Sequence, residues 1–207
     1  MKRIQLSPIT SKDSPFWKPW LEIYDASFPI DEQMTVGFFE KLFANWEKEE
    51  EHDHLVYAFV ASDNPETVLG ITMFELDRDE KSLCIWYIAM DETVRNQGLG
   101  AKAYGLLVDM AKDLKFDSLT YEVDIPKTTD PNELARRRIR FYQRQGSKLL
   151  GGYSYLQSVD NGSAPIPMWL MVHPLVEISP DEAARLCREV WGETFKPVGE
   201  VYYVDNP

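Results

Sequence analysis

Polar and apolar positions alternate weakly from Arg3 to Ile9, and the run reads as a first strand. "SPFWKPWLEIYDASF" predicts a short helix, with Ser14 as its cap and Pro15 in the first helical position. In "TVGFFEKLFANWEKEEE", Phe38, Phe39, Leu42, Phe43 and Trp46 recur at helical spacing, which predicts a second helix that ends in acid. Three β-rich runs follow: "HLVYAFVAS", "TVLGITMFELD" and "KSLCIWYIAM". Turn-like "SDNPE" and "DRDEK" divide them, as in an antiparallel meander.

The period changes after "DETVRNQGLG". Leu99, Ala103, Leu106, Leu107, Met110, Ala111 and Leu114 form one apolar stripe, the mark of a helix. "DSLTYEVDI" is a fifth strand. "DPNELARRRIRFYQRQG" predicts a helix capped by Asp130, with Pro131 in the first turn and Gly146 at its end. "SKLLGGYSYLQ" and "PIPMWLMVH" add two strands, and a helix near "SPDEAARLCREVW" precedes a β-rich tail. Neither repeat, low-complexity tract nor linker breaks the order. The expectation is one α+β domain with a mixed, mostly antiparallel sheet flanked by helices, spanning 1–172. Residues 173–207 would be a helix and tail packed on that domain or on a partner subunit.

Composition narrows the partners. A chain of 207 residues can bury a substantial core. No stretch approaches the ~20 apolar residues of a membrane span, and "MKRIQLSPIT" lacks the apolar run of a signal peptide. A cytoplasmic protein that does not engage membrane is expected. The formal charge of −12, from 34 acidic and 22 basic residues, repels nucleic acid and anionic lipid. It suits a cationic substrate such as an amine, although net charge also serves solubility alone. Cys84 and Cys187 are expected to be reduced. "EEEHDH", Glu49 to His54, offers metal-ligand types, but outside it only His173 adds a histidine. A solvated turn without metal is expected.

The chemistry centres on "VRNQGLGA", Val94 to Ala101, a glycine-rich run that opens the amphipathic helix. A phosphate loop of the G-x-x-x-x-G-K-[ST] type fails, because no lysine and hydroxyl follow Gly100. The dinucleotide pattern is met literally by Gly98, Gly100 and Ala103, with Glu122 and Asp124 at about the spacing of a ribose-binding acid. Yet "DETVRNQ" separates the strand end near Met90 from Gly98, where a dinucleotide turn is tight. Backbone N–H groups ahead of a helix N-terminus still converge on an anion, Gly98 and Gly100 allow close approach, and Arg95 adds a charged donor.

The run "YIAMDETVRNQGLGAKAYGLLVDMAKD" resembles the central motif of the GNAT N-acetyltransferases, Arg/Gln-x-x-Gly-x-Gly/Ala, through Arg95, Gly98 and Gly100. "RFYQRQG" is similar to a second motif of that superfamily, through Phe141, Tyr142 and Gly146. The resemblance covers about Ile4 to Val172 and, near its end, looks like a bacterial subgroup whose acceptors are largely unassigned. It implies the GNAT fold, with fourth and fifth strands splayed, and acetyl-CoA as co-substrate. Its pyrophosphate would lie on Arg95, Asn96, Gln97, Gly98, Leu99, Gly100 and Ala101, and its pantetheine on the backbone of Ile88 and Met90. Tyr142 would protonate the leaving thiolate, as a phenol with an ordinary pKa of about 10 can do.

The chain departs from the commoner pattern beside Tyr142, with Ala135 and Arg138 where many relatives carry Asn and Ala. Arg138, one turn before Tyr142, could reach phosphate or pantetheine, while a solvated face explains most of the arginine block at 136, 137, 138, 140 and 144. Glu122 is the preferred general base; paired only with an arginine of the next helix, it would have no such role. Glu32, Tyr155 and Gln157 are candidate contacts to the acceptor, a small-molecule or peptide amine. The resemblance thus implies an N-acetyltransferase, with a homodimer possible. The alternative reading is a non-catalytic acyl-CoA-binding module, and a nicotinamide enzyme stands third.

Overall fold

Alternation and helical periodicity place the elements of the computed structural model, which describes residues 3–46, 48, 52–159, 161–192 and 194–205. Among the described residues nine strands and five α-helices follow in the expected order, with a mixed, mostly antiparallel sheet. The chain divides into two compact units. Unit 1 is Met1–Leu76, Ile85–Met110 and Val159–Ser163; unit 2 is Asp77–Cys84, Ala111–Ser158 and Ala164–Pro207.

In unit 1, β1 (Ile4–Pro8) pairs antiparallel with β2 (His54–Ala61), and β2 with β3 (Asn64–Asp77). Strand β4 (Ser82–Met90) follows β3 in the order. Helices α1 (Trp17–Ser27) and α2 (Val36–Asn45) supply an aromatic core. Trp20 is fully buried, stacks on Tyr24 at 4.9 Å and donates from Nε1 to the Tyr57 carbonyl at 3.1 Å. An indole whose N–H is bonded can go inside without an unsatisfied donor. Thr35 caps α2 through Phe38 N–H, and the helix ends at Asn45. Glu49, Glu50 and Glu51 of "EEEHDH" lie outside the described residues.

In unit 2 the first residues of β4 run parallel to β5 (Ser118–Asp124), joined by Ser118 Oγ donating to Ser82 Oγ at 3.1 Å. Helix α3 (Leu99–Asp113) bridges β4 and β5 in sequence, as a parallel pair requires. Its stripe holds except at Leu114, which is exposed beyond the helix end. The order continues β5, β8 (Ile166–Pro174), β6 (Lys148–Ser154), β9 (Lys196–Val204), with the two-residue β7 (Leu156–Gln157) on β8. Helix α5 (Pro180–Trp191) starts with a capping box, in which Ser179 and Glu182 satisfy each other's backbone N–H. Cys84 and Cys187 are both buried.

Two caps sit elsewhere than expected. Helix α4 spans Leu134–Arg144, not from Pro131, and Glu133 precedes it. Asp130 instead closes a local turn on Asn132 N–H. The Glu133 carboxylate accepts from Lys127 N–H at 2.6 Å, Thr128 N–H at 3.0 Å and Thr128 Oγ1 at 2.7 Å, which fastens the loop and delays the helix. Those bonds, the one from Lys127 first, hold its pKa below the ordinary value. Ser14 likewise accepts from Phe16 N–H in a turn before α1, which begins at Trp17.

Candidate active site

Within unit 1 the loop from Asp91 to Gly98 is built by local side-chain bonds. Asp91 accepts from Thr93 N–H at 2.9 Å, and Gln97 Nε2 donates to the Thr93 carbonyl at 3.2 Å. Asn96 has φ 61° and Gly98 φ 75°, both left-handed, so the chain reverses sharply into α3. Val94 and Leu99 anchor the loop from below, buried with Ala61 and Leu69 and flanked by Met90. Arg95, Asn96, Gln97 and Gly98 are exposed, Gly100 and Ala101 half-buried. A Cβ on Gly98 would meet nothing within 4 Å, so the space before it is open. The first N–H groups of an α-helix lack intrahelical partners and carry its positive dipole end. A loop of this shape fits a phosphate.

Arg95 is more constrained than its sequence position suggested. Nε donates to the Met90 carbonyl at 2.9 Å and Nη2 to Ser27 Oγ at 3.2 Å. The guanidinium thereby ties the loop to the end of α1. It forms one wall of a cleft of about 290 Å3 that Glu22, Asp91 and Glu92 also line, with Ile23 and Val68. Ile88 and Met90 are half-buried at the end of β4. Glu32 lies in a short 3-10 turn, Ile30–Glu32, where its carbonyl accepts from Tyr87 Oη at 2.7 Å.

In unit 2, β5 pairs antiparallel with β8 over its whole length, with Glu122 opposite Leu170. Tyr121 and Val123 point into the core, while Glu122 and Asp124 share the half-buried face. Tyr155 Oη donates to Glu122 Oε1 at 2.6 Å. Arg138 Nη1 pairs with Asp124 Oδ2 at 2.6 Å, so the arginine of the next helix takes Asp124 as partner. Arg136 donates to the Thr128 carbonyl and Arg140 to that of Pro131, whereas Arg137 and Arg144 are exposed. Three of the five arginines therefore secure the turn before α4 and the end of β5.

Tyr142 is buried with Ala135 and Ile139 on the inner face of α4, its ring 4.5 Å from that of Tyr121. Burial pushes its pKa above the ordinary phenol value, and Arg138 pulls it down less. Tyr121 donates to Ser147 Oγ at 2.5 Å, and Ser147 Oγ lies 3.3 Å from His173 Nδ1. Burial, and next the charge of Lys112, depress the His173 pKa. Gln157 in β7 has its Oε1 buried without a hydrogen-bond partner. Ser27, Tyr153 and Trp191 were not foreseen as site neighbours. Asp91-x-Thr93 carries a local turn signature, but nothing near Ser27 announces Arg95, 68 positions away.

The fold is that of an acyltransferase class. The model of the acetyltransferase (GNAT) family matches residues 17–146, and the chain belongs to that family. Among solved structures, a candidate GNAT-family acetyltransferase from Bacteroides thetaiotaomicron is 27% identical, with 91% of this chain and 99% of that one aligned at a TM-score of 0.67. A GNAT family acetyltransferase from Elizabethkingia anophelis, solved with acetyl-CoA bound, aligns at 15% identity and TM-score 0.54 over 83% and 98% of the chains. The ribosomal-protein-S18-alanine N-acetyltransferase of Escherichia coli aligns at 14% and 0.57 over 86% and 97%. The last two share the fold alone. No curated protein matches the sequence. No group of His, Cys, Asp or Glu arranged to hold a metal occurs among the described residues, and no helix there is long and apolar enough to cross a membrane.

Proposed function

We propose that the protein transfers the acetyl group of acetyl-CoA to an amine, on a small molecule or an amino terminus. The observation that carries this reading is the pair of left-handed residues, Asn96 and Gly98, set immediately ahead of α3. They turn the N–H groups of Gln97 to Ala101 toward one anion, the pyrophosphate of coenzyme A, beside the positive charge of Arg95. The backbone of Ile88 and Met90 would bond pantetheine, and Arg138 would add a donor to the same cofactor.

Acetyl-CoA supplies the acyl group as a thioester. Glu122 accepts the proton of the attacking amine, and Tyr142, kept neutral by burial, gives a proton to the departing thiolate. Glu32 and Gln157 are each proposed as a contact to the acceptor. The acidic surface favours a cationic amine at long range, with a formal charge of −12.

The test is thiol release from acetyl-CoA against a panel of small amines and amino-terminal peptides, with binding measured in parallel by calorimetry. Release that depends on one amine supports the reading. Tight acetyl-CoA binding without release for any amine would favour an acyl-CoA-sensing module. Thermal stabilisation by NAD(H) and none by acetyl-CoA would overturn both.

A further inference from the structure

We propose that Tyr155 is a positioning residue for the Glu122 carboxylate, and that the C-terminal helix α5 holds Tyr155 through Trp191. The inference rests on the reading of Glu122 as general base. Tyr155 is only 6% exposed, which makes it a poor surface for an acceptor, and its hydroxyl sits 2.6 Å from Glu122 Oε1. Burial first, and the charge of Glu122 next, raise its pKa far above the phenol range. It therefore stays neutral and keeps the proton that it donates to the carboxylate. That bond commits Oε1, fixes the carboxylate rotamer and favours the ionised form a base requires.

Tyr155 is itself held from α5. The rings of Tyr155 and Trp191 meet edge to face at 6.3 Å, inside a core shared with Leu170, Ala183, Cys187 and Phe195. Met168 N–H donates to the Tyr155 carbonyl at 3.2 Å. Tyr153, stacked on Phe195 at 4.7 Å, accepts from the N–H of Leu170, the residue opposite Glu122. The brace lies outside the family-matched residues 17–146, so the segment after the shared motifs would set the base. The titratable and charged groups near Glu122 in unit 2 include Tyr155 and Tyr153, which Cys187 of α5 also influences, and Asp124 on the same face, paired with Arg138.

The experiment follows the Glu122 carboxyl directly, by carbon-13 NMR of glutamate-labelled protein, with its signal assigned by its loss in Glu122→Gln. In Tyr155→Phe the titration midpoint is expected to rise by about one to two pH units. The acid limb of kcat/KM with acetyl-CoA and a productive amine should rise with it, at unchanged acetyl-CoA Kd. An unmoved midpoint in folded Tyr155→Phe overturns the inference. Should that variant not fold, Trp191→Leu keeps the hydroxyl but loosens the ring, and is expected to raise the midpoint by less; no shift there overturns it equally. Wild-type turnover in Glu122→Gln would instead sink the base assignment, even if the midpoint still moves.

Discussion

Arg138 donates from Nη1 to Oδ2 of Asp124 at 2.6 Å, and this pair gives the two carboxylates on one face of β5 different partners. Asp124 is bound to an arginine, whereas Glu122 is bound to a neutral phenol. Both members of the ion pair are about one-third exposed, at 32% and 34%, so water screens much of their attraction. Arg138→Ala should therefore cost no more than about 1 kcal/mol in urea denaturation. If Arg138 also reaches the donor, the same variant should weaken acetyl-CoA binding about tenfold, the loss of one charge-assisted bond. An unchanged Kd would leave the pair with Asp124 as its role.

Gly98 and Gly152 both have positive φ, at 75° and 84°, yet the surroundings predict opposite phenotypes. A Cβ at Gly98 meets open space, so Gly98→Val suffers mainly backbone strain of about 1 kcal/mol and should fold. Its side chain would fill the room an anion needs, and acetyl-CoA binding should be lost. At Gly152 the Cβ would lie 2.1 Å from the Glu200 carbonyl oxygen, in the β6–β9 bulge. Gly152→Ala should therefore lose about 2 kcal/mol or more, read by thermal or urea unfolding. Wild-type affinity in Gly98→Val would place the donor elsewhere.

Tyr142→Phe should lower kcat about a hundredfold or more, with acetyl-CoA Kd unchanged. The pH profile carries a sign. Burial raises the folded pKa, so Tyr142 remains an acid beyond the ordinary phenol value of about 10, and its contribution fades only as pH climbs through the raised value. The unfolded phenol ionises first, near pH 10, so stability falls with pH from there. That alkaline fall should be shallower in Tyr142→Phe. Unchanged turnover would remove Tyr142 from the chemistry.

What the sequence made legible were features with short-range causes. The stripe of α3, the left-handed Gly98 and the buried position of Tyr142 each follow from neighbours a few residues away. The start of α4 lies beyond the sequence signal because Asp130-Pro131 looks like a cap and first turn, while Glu133 gathers three donors from Lys127 and Thr128 and wins. The partner of Glu122 was out of reach for another reason. Tyr155 is 33 positions away, and only the pairing of β5 with β8, and of the Tyr155 segment with Met168, brings it there. Tyr155 was expected to meet the acceptor; the structure turns its hydroxyl to a carboxylate.

His173 gives the last prediction, on the acid side. With Tyr121 donating to Ser147, the Ser147 hydroxyl keeps its own proton, which the Nδ1 of a neutral His173 can accept. Protonation would place a charge on a ring that is largely buried. The depressed pKa agrees with this, its largest cause being burial. Unfolded histidine takes a proton near pH 6.5 while the folded ring resists, so the unfolded state binds more protons. Stability should thus be whole above about pH 6.5 and fall below it, by up to ~1.4 kcal/mol per pH unit. The lowered carboxyls Glu133 and Glu182 act only below about pH 4.5, which leaves pH 5 to 6.5 as the window for His173. His173→Asn keeps an acceptor for Ser147 but cannot titrate. Urea denaturation across that window should show a flatter slope in the variant, and equal slopes would assign the acid sensitivity to another group.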